Sequence, residues 1–189
     1  SFENLNVIAR PLSEYFTVTA IDLRNHGRSK HHDLMTYPAM SQDILALMAQ
    51  LNIDKAIFVG HSMGGKVAMQ VALNFPEKVD KLVVLDIAPV TYEPRHDDVF
   101  KGLNAVNDAN ISSRQDADSV MSEYIVEPGV RQFLLKSLVK TQNGFDWKFN
   151  LAILQDKYSD ILNAPSGTAF TGKTLFIKGS NSEYITEDM

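Results

Sequence analysis

The most informative segment of this sequence is Phe58-Val59-Gly60-His61-Ser62-Met63-Gly64-Gly65-Lys66. A short apolar run at residues 56–59 is typical of a strand, and the residues from Met63 to Asn74 have a pattern typical of a helix. A Gly-x-Ser-x-Gly pattern between a strand and a helix predicts a sharp turn that lifts the Ser62 hydroxyl clear of the sheet. An ordinary glycine-rich turn is the alternative, whereas a phosphate-binding loop would end in Gly-Lys-Ser or Gly-Lys-Thr.

Strands and helices alternate on both sides of this turn. Residues 17–21, 82–86 and 174–178 are apolar or β-branched runs that predict three further strands. Pro38 can begin a helix whose apolar face includes Ile44. Alternating elements with continuously apolar strands are typical of a mostly parallel sheet with helices on both faces. We therefore expect the α/β fold class.

A long stretch of different character separates the last two predicted strands. It contains polar helical patterns, such as the one around Phe133, and it contains no convincing strand. Because a bare loop of this length is uncommon, we predict a helical cap inserted after the strand that ends at Asp86. The predicted domains are an α/β core at 1–88, the cap at 89–170 and a return to the core at 171–189.

Composition excludes several classes of protein. The 189 residues include no cysteine, so a disulfide, a thiolate metal site and a cysteine nucleophile are excluded. The 18 basic and 23 acidic residues give a net charge of -5, which argues against nucleic-acid binding. The strongest apolar run, at residues 82–85, is too short to cross a membrane, and residues 1–4 do not resemble a signal peptide. We expect a cytoplasmic protein without a metal or other cofactor, whose oligomeric state the sequence leaves unknown.

A serine nucleophile at Ser62 requires a base and a carboxylate that orients the base. The backbone N–H of Met63, at the start of the predicted helix, is predicted to face an oxyanion formed by attack of Ser62. Two carboxylates follow predicted strands and are candidates for the acid: Asp86 and Glu183. Asp86 could instead cap the turn that follows it. In this class of site the chain order is serine, acid, histidine, and His96 is the only histidine after Asp86.

Four further residues are candidates for contact with a substrate. His61 lies in the predicted turn itself, and His96 begins the insert, where it could line a pocket, act as a substitute base or be solvated. Trp147 and Phe149 could line an acyl pocket, but aromatic residues at alternating positions also belong to ordinary cores. The polar run from Asp22 to Ser29 is predicted to be a structural turn, with a loop over the site as its alternative.

The sequence resembles α/β-hydrolases, and among them the bacterial esterases of the YbfF group. The segments that carry the resemblance extend over essentially the whole chain: 22–29, 37–40, 60–66, 80–89, 95–100, 132–137 and 147–150. The resemblance implies the α/β-hydrolase fold and cofactor-free hydrolysis of carboxylic esters, with acyl thioesters as a further option. It also implies a Ser-His-Asp triad with an acyl-enzyme intermediate, and it favours Asp86 over Glu183 as the acid.

The same resemblance implies a base histidine in a Gly-x-Gly-His context after one further strand, and an early His-Gly loop that supplies a second oxyanion N–H. The 189 residues stop before such a strand and start after the place of that loop. We therefore expect a chain truncated at both ends, with its base histidine outside the chain, and inactive by itself. The alternative is a non-catalytic α/β-hydrolase module that binds a small acyl ligand or a protein partner.

Overall fold

The computed structural model describes residues 5–186, which contain both helices and strands. In chain order the elements are α1 (Asn6–Leu12), α2 (Tyr37–Gln50), β1 (Ala56–His61), α3 (Met63–Asn74), a 3₁₀ helix (Pro76–Lys78), β2 (Val79–Leu85), α4 (Asp97–Asp108), α5 (Arg114–Ser122), α6 (Pro128–Leu135), β3 (Leu138–Thr141), β4 (Gly144–Trp147), α7 (Leu151–Asp156), α8 (Tyr158–Leu162) and β5 (Lys173–Ile177). Contacts divide the chain into two units, residues 1–33 with 94–156 and residues 34–93 with 157–189.

The second unit contains a parallel three-stranded sheet in the order β1-β2-β5. His61 at the end of β1 pairs with Leu85 at the end of β2, and Leu85 pairs with Ile177 at the end of β5. The strands predicted at 56–59, 82–86 and 174–178 are therefore confirmed, with Asp86 directly after β2. Because the three strands are parallel and in register, the residues that follow them lie along one edge of the sheet.

Two helices of the second unit have the boundaries that local sequence signals predict. Helix α2 begins after Thr36, whose hydroxyl accepts a hydrogen bond from the Ala39 N–H at 3.4 Å, and it has Pro38 in its first turn. Its apolar face, including Ile44, is buried. Helix α3 packs against β1 and β2 and is buried almost throughout after its first turn. Sheet and α3 together position the turn between β1 and α3.

Two glycines at this turn are required by close contacts. A Cβ at Gly60 would collide with the backbone carbonyl of Gly64, and a Cβ at Gly65 would lie 2.7 Å from Ile87 Cγ2. A Cβ at Gly64, the second glycine of the Gly-x-Ser-x-Gly pattern, would meet nothing within 4 Å. The strand and the helix can therefore approach each other only with glycine at positions 60 and 65.

The first prediction compares two glycine variants of this turn. Gly60→Ala should lower the free energy of unfolding by about 2 kcal/mol or more, because the collision is with backbone that cannot rotate away. Gly64→Ala should be neutral or stabilising by up to about 1 kcal/mol, because the methyl group enters open space in a helix. Urea unfolding of both variants measures the difference, and equal stabilities would contradict the close approach.

The strand predicted at residues 17–21 is wrong. These residues pair with no strand within the described part of the chain, and Val18 and Ile21 are 39% and 37% exposed. A β-branched run forms a strand only where a neighbouring strand supplies the hydrogen bonds. The composition of this run indicates a preference for extended structure, but a strand forms only where another strand pairs with it.

The prediction that the insert contains no strand is also wrong. In the first unit, β3 and β4 form an antiparallel hairpin in which Leu138 pairs with Trp147 and Thr141 pairs with Gly144. Gly144 has a φ of 116°, which an L-residue rarely adopts, and Asn143-Gly144 is a common hairpin signal. The helical part of the prediction is confirmed by α4, α5 and α6.

The hairpin contributes to the hydrophobic core of the first unit. Its buried members come from α4 to α7 and both hairpin strands: Leu103, Val106, Ala117, Met121, Ile125, Leu135, Leu138, Trp147 and Leu151. The division into domains at 1–88, 89–170 and 171–189 stays a prediction. No helix among residues 5–186 is long and apolar enough to cross a membrane, and the cytoplasmic location stays a prediction.

Candidate functional site

Ser62 occupies a strained turn between β1 and α3. Its φ of 53° and ψ of -125° lie in a region that residues with a Cβ rarely adopt. Its N–H donates to the Leu85 carbonyl at 3.0 Å, and its own carbonyl accepts from the N–H groups of Gly65 and Lys66 at 2.8 and 3.1 Å. Hydrogen bonds on both sides of Ser62 thus hold the strained conformation, as expected for a serine presented at the edge of a sheet.

Met63 begins helix α3 directly after Ser62. The first N–H groups of a helix have no acceptor within the helix, and they carry the positive end of its dipole. An oxygen bonded to the carbon that Ser62 attacks would lie close to this N–H. The backbone therefore has the arrangement that the sequence predicts for an oxyanion site, and the role of Met63 itself stays a prediction.

Asp86 follows β2 at the same edge of the sheet as Ser62. The two residues come directly after His61 and Leu85, which are paired neighbours in β1 and β2. The backbone of Asp86 is also in a rare conformation, with a φ of 56°, and its N–H donates to the Ile177 carbonyl at 2.8 Å. Its Oδ1 accepts the Gly179 N–H at 3.0 Å. The carboxylate is thus held by the loop after β5, a contact that no sequence pattern indicates.

Glu183, the other candidate acid, lies in that loop. The loop closes on itself through the Ser182 N–H, which donates to the Gly179 carbonyl at 3.0 Å. The Glu183 side chain is exposed, whereas that of Asp86 is half-buried. An acid that orients a base has to keep one position, and partial burial together with the Gly179 hydrogen bond restrains Asp86 in this way.

The structure places the other candidate residues in different surroundings. His61 is exposed and belongs to the second unit, at the end of β1. His96 belongs to the first unit, precedes α4 and is half-buried, and both burial and the charge of Arg95 lower its pKa. Their roles in binding substrate stay predictions.

Trp147 and Phe149 also belong to the first unit. Their rings stack with centroids 5.3 Å apart, and the Trp147 Nε1 donates to the Leu103 carbonyl at 3.4 Å. Trp147 is a buried member of the hydrophobic core, and Phe149 packs against that core. Their contacts in the first unit are those of core residues, and a part in an acyl pocket stays a prediction.

The run from Asp22 to Ser29 forms the structural turn that its sequence predicts. The Asp22 carboxylate accepts the Arg28 N–H at 3.2 Å, and the Ser29 hydroxyl donates to the Asp22 carbonyl at 2.6 Å. The Nδ1 of His26 lies 2.9 Å from the Arg24 carbonyl, and burial lowers the pKa of His26 despite that contact. The turn is also tied to the chain after it, since the Asn25 amide donates to the His32 carbonyl at 2.9 Å.

The fold and the Ser62 turn match a known family. A family model described as the alpha/beta hydrolase fold matches residues 1–111, which is more than half of the chain. The chain belongs to the α/β-hydrolase family. The expected fold class, a mostly parallel sheet with helices, and the resemblance from which it was inferred are thereby confirmed.

Individual relatives and structures agree with this membership. The chain is 43% identical over 188 residues to Esterase YbfF of Escherichia coli, a match that covers 99% of this chain and 72% of that protein. It is 38% identical over 198 residues to the sn-1-specific diacylglycerol lipase ABHD11 of Danio rerio, covering 100% of this chain and 62% of that protein. A solved structure titled "Marine microorganism esterase" superposes with a TM-score of 0.93 at 34% identity, covering 100% of this chain and 76% of that one. The chain therefore spans between about three fifths and three quarters of these relatives.

A buried lysine anchors the helix that begins at Ser62 in this α/β-hydrolase. Lys66 is 2% exposed, and its Nζ donates to the carbonyls of Leu162 and Asn163 at 2.8 and 2.7 Å. The same Nζ lies 4.7 Å from the centroid of the Tyr92 ring and 5.6 Å from that of Tyr37. Burial lowers the pKa of Lys66 to about 8.

One turn further along α3, Gln70 continues this polar face through two hydrogen bonds to the backbone of Ser166.

The second prediction concerns the pH dependence of stability. In the unfolded chain Lys66 has its ordinary pKa of 10.5, so between pH 8 and 10.5 the unfolded state binds more protons than the folded state. The free energy of unfolding should therefore rise with pH in this range relative to that of Lys66→Met. Burial also raises the pKa of Tyr37 from 10.0, but Tyr37 is present in both proteins, so its contribution cancels in the comparison. Unfolding of both proteins between pH 7 and 9.5 tests this, and parallel profiles would contradict it.

No group of three or more His, Cys, Asp or Glu residues in the described ranges could hold a metal ion. The expectation that the protein uses no metal or other cofactor stays a prediction. The polar groups at the sheet edge are the hydroxyl of Ser62, the N–H of Met63 and the carboxylate of Asp86.

Proposed function

We propose that this protein is a carboxylic-ester hydrolase that forms a covalent acyl-enzyme intermediate at Ser62. The observation that carries the proposal is the backbone of Ser62, which is held at a φ of 53° between β1 and α3. Such strain is retained where it presents a reactive group, and this turn is the one on which α/β-hydrolases place their nucleophile. The names of the relatives, an esterase and a diacylglycerol lipase, support an ester of small-molecule size as the substrate.

In the proposed reaction, Ser62 Oγ attacks the carbonyl carbon of the ester and gives its proton to a histidine. The negative charge that forms on the carbonyl oxygen is stabilised by the Met63 N–H, where removal of one donor typically costs about 3 kcal/mol of transition-state stabilisation. Asp86 accepts a hydrogen bond from the histidine and stabilises its positive charge. The alcohol leaves with the proton from the histidine. Water then attacks the acyl-enzyme and gives a proton to the histidine, and the acid is released when Ser62 Oγ leaves and takes up that proton.

We propose that the base is a histidine outside these 189 residues, so that the chain by itself is inactive. His61 is the last residue of β1 and directly precedes Ser62, and successive side chains along a strand point to opposite faces of the sheet. The other four histidines, His26, His31, His32 and His96, belong to the first unit. His96 is the alternative within the chain.

The test is covalent labelling of the protein that carries this sequence with a fluorophosphonate, followed by peptide mapping. We expect the label on Ser62, and we expect p-nitrophenyl acetate and butyrate to be hydrolysed with an initial burst of nitrophenol. A butyryl thioester in a parallel assay distinguishes ester from thioester preference.

Labelling of the 189-residue chain alone should be much slower, and His96→Gln should not slow it further. A protein without label and without hydrolysis would indicate the non-catalytic binding module instead.

A further inference from the structure

Two loops hold the carboxylate of Asp86 in place. The loop after β2 contains Asp86 itself, and the loop after β5 supplies the Gly179 N–H that Oδ1 accepts at 3.0 Å. The Asp86 N–H also donates to the carbonyl of Ile177, the last residue of β5 before that loop, at 2.8 Å. The position of the carboxylate therefore depends on how these two loops are fixed relative to each other.

The hydroxyl of Tyr92 joins the two loops directly. It accepts the Ala88 N–H at 2.9 Å, two residues after Asp86, and it donates to the carbonyl of Tyr184. The rings of Tyr92 and Tyr184 also meet edge to face, with centroids 5.6 Å apart at 71°. Tyr92 and Ala88 are 9% and 3% exposed, so water is a poor substitute for these hydrogen bonds.

We propose that Tyr92 is a positioning residue for the proposed ester hydrolysis, in which its hydroxyl ties the Ala88 backbone to the Tyr184 backbone and so fixes the carboxylate of Asp86 against Gly179. The inference rests on the proposed function, because it assigns Tyr92 to the site of that reaction. Tyr92 touches neither Ser62 nor an expected substrate atom in this scheme, and it acts only through Asp86.

The physical reason is that the Tyr92 hydroxyl accepts from one loop and donates to the other at the same time. Without the hydroxyl, the Ala88 N–H and the Tyr184 carbonyl lose a shared partner, and the two loops can shift relative to each other. A displacement of about 1 Å in a catalytic group can lower a rate by about 100-fold, whereas binding of the substrate depends on other contacts. The expected effect is therefore on kcat and not on KM.

The experiment compares Tyr92→Phe with Tyr37→Phe in the protein that carries this sequence. Tyr37 is a matched control, since its hydroxyl is also buried and donates to a backbone carbonyl, that of Ile161, at 2.5 Å. Tyr92→Phe should lower kcat for p-nitrophenyl butyrate by about 10- to 100-fold with KM unchanged within about twofold. Tyr37→Phe should leave both constants unchanged, although both variants lose stability.

A double-mutant cycle with Asp86→Asn separates positioning from a merely structural role. If Tyr92 acts through Asp86, then Tyr92→Phe should lower kcat no further in the Asp86→Asn background. Hydrogen exchange at the Ala88 and Gly179 amides provides a readout that needs no activity, and both amides should exchange faster in Tyr92→Phe than in Tyr37→Phe.

Effects on kcat that multiply in the double mutant, or unchanged exchange at Gly179, would overturn the proposal for Tyr92 alone. Failure of wild-type Ser62 to react with a fluorophosphonate would instead overturn the proposed function, and the role of Tyr92 with it.

Discussion

Replacing Ser62 with alanine is expected to lower kcat for ester hydrolysis by about 10⁵-fold or more, to a level set by the remaining oxyanion site and binding contacts. The hydroxyl is the atom that forms the covalent bond in the proposed reaction, so no neighbouring group can replace it. Fluorophosphonate labelling should be lost in the same variant. The measurement is steady-state hydrolysis of p-nitrophenyl butyrate, with the amount of folded protein normalised by circular dichroism.

A second substitution at the same position separates chemistry from stability. Ser62→Gly should be as inactive as Ser62→Ala but more stable, because glycine adopts a φ of 53° and a ψ of -125° without strain. Relief of strain of about 1–3 kcal/mol is partly offset by the greater freedom of glycine in the unfolded chain, so a net gain of about 1 kcal/mol is expected. Alanine keeps the Cβ and should keep the strain. If the glycine variant unfolds no later than the alanine variant in urea, the turn stores no strain.

The turn around Ser62 could be predicted from the sequence because its signals are local. The strand before it, the helix after it and the glycine at position 60 are each determined within a few residues, and β1 and α3 have the expected positions. Asp86 was found in the same way, since it follows a clearly apolar strand. Sequence alone did not reveal that position 65, and not position 64, needs a glycine, because this need depends on the side chain of Ile87 in the loop after β2.

Structural features that depend on the pairing of strands were predicted less well. Residues 17–21 have the composition of a strand but pair with no other strand in residues 5–186. The β3–β4 hairpin was missed because its strands have only four residues each and carry charged side chains such as Lys140 and Asp146, although Asn143-Gly144 marks its turn. In both places the amino-acid composition and the observed strand pairing disagree, and the pairing determines whether a strand forms.

The contacts that fix the acid were beyond sequence reasoning for a related reason. Gly179 lies 93 residues after Asp86, and Tyr184 lies 92 residues after Tyr92. Nothing in either residue type indicates such a partner, since a glycine N–H and a tyrosine carbonyl are backbone groups that every residue except proline provides in full. The sequence could suggest two acids at the sheet edge, and only the three-dimensional contacts distinguish the restrained one from the exposed one.

That distinction leads to the prediction with the second largest effect. Asp86→Asn is expected to lower kcat by about 10⁴-fold, because a neutral amide neither holds the base histidine in the required tautomer nor stabilises its positive charge. Glu183→Gln, which makes the same chemical change in the next loop, should alter kcat by less than about threefold, because this side chain is exposed and the proposed reaction does not use it. The amide oxygen of asparagine can still accept the Gly179 N–H, so the loss is expected without a large change in stability.

The measurement is kcat and KM of both variants with the same ester, together with their urea midpoints. A large loss in Glu183→Gln with little change in Asp86→Asn would transfer the role of the acid to the loop after β5, and the Gly179 hydrogen bond would then serve only to join two strand ends. Large losses in both would indicate that the two carboxylates share the histidine. The proposed reaction requires the effects to differ by about three orders of magnitude, because the charge at position 86 acts at short range on the histidine and the charge at position 183 is screened by water.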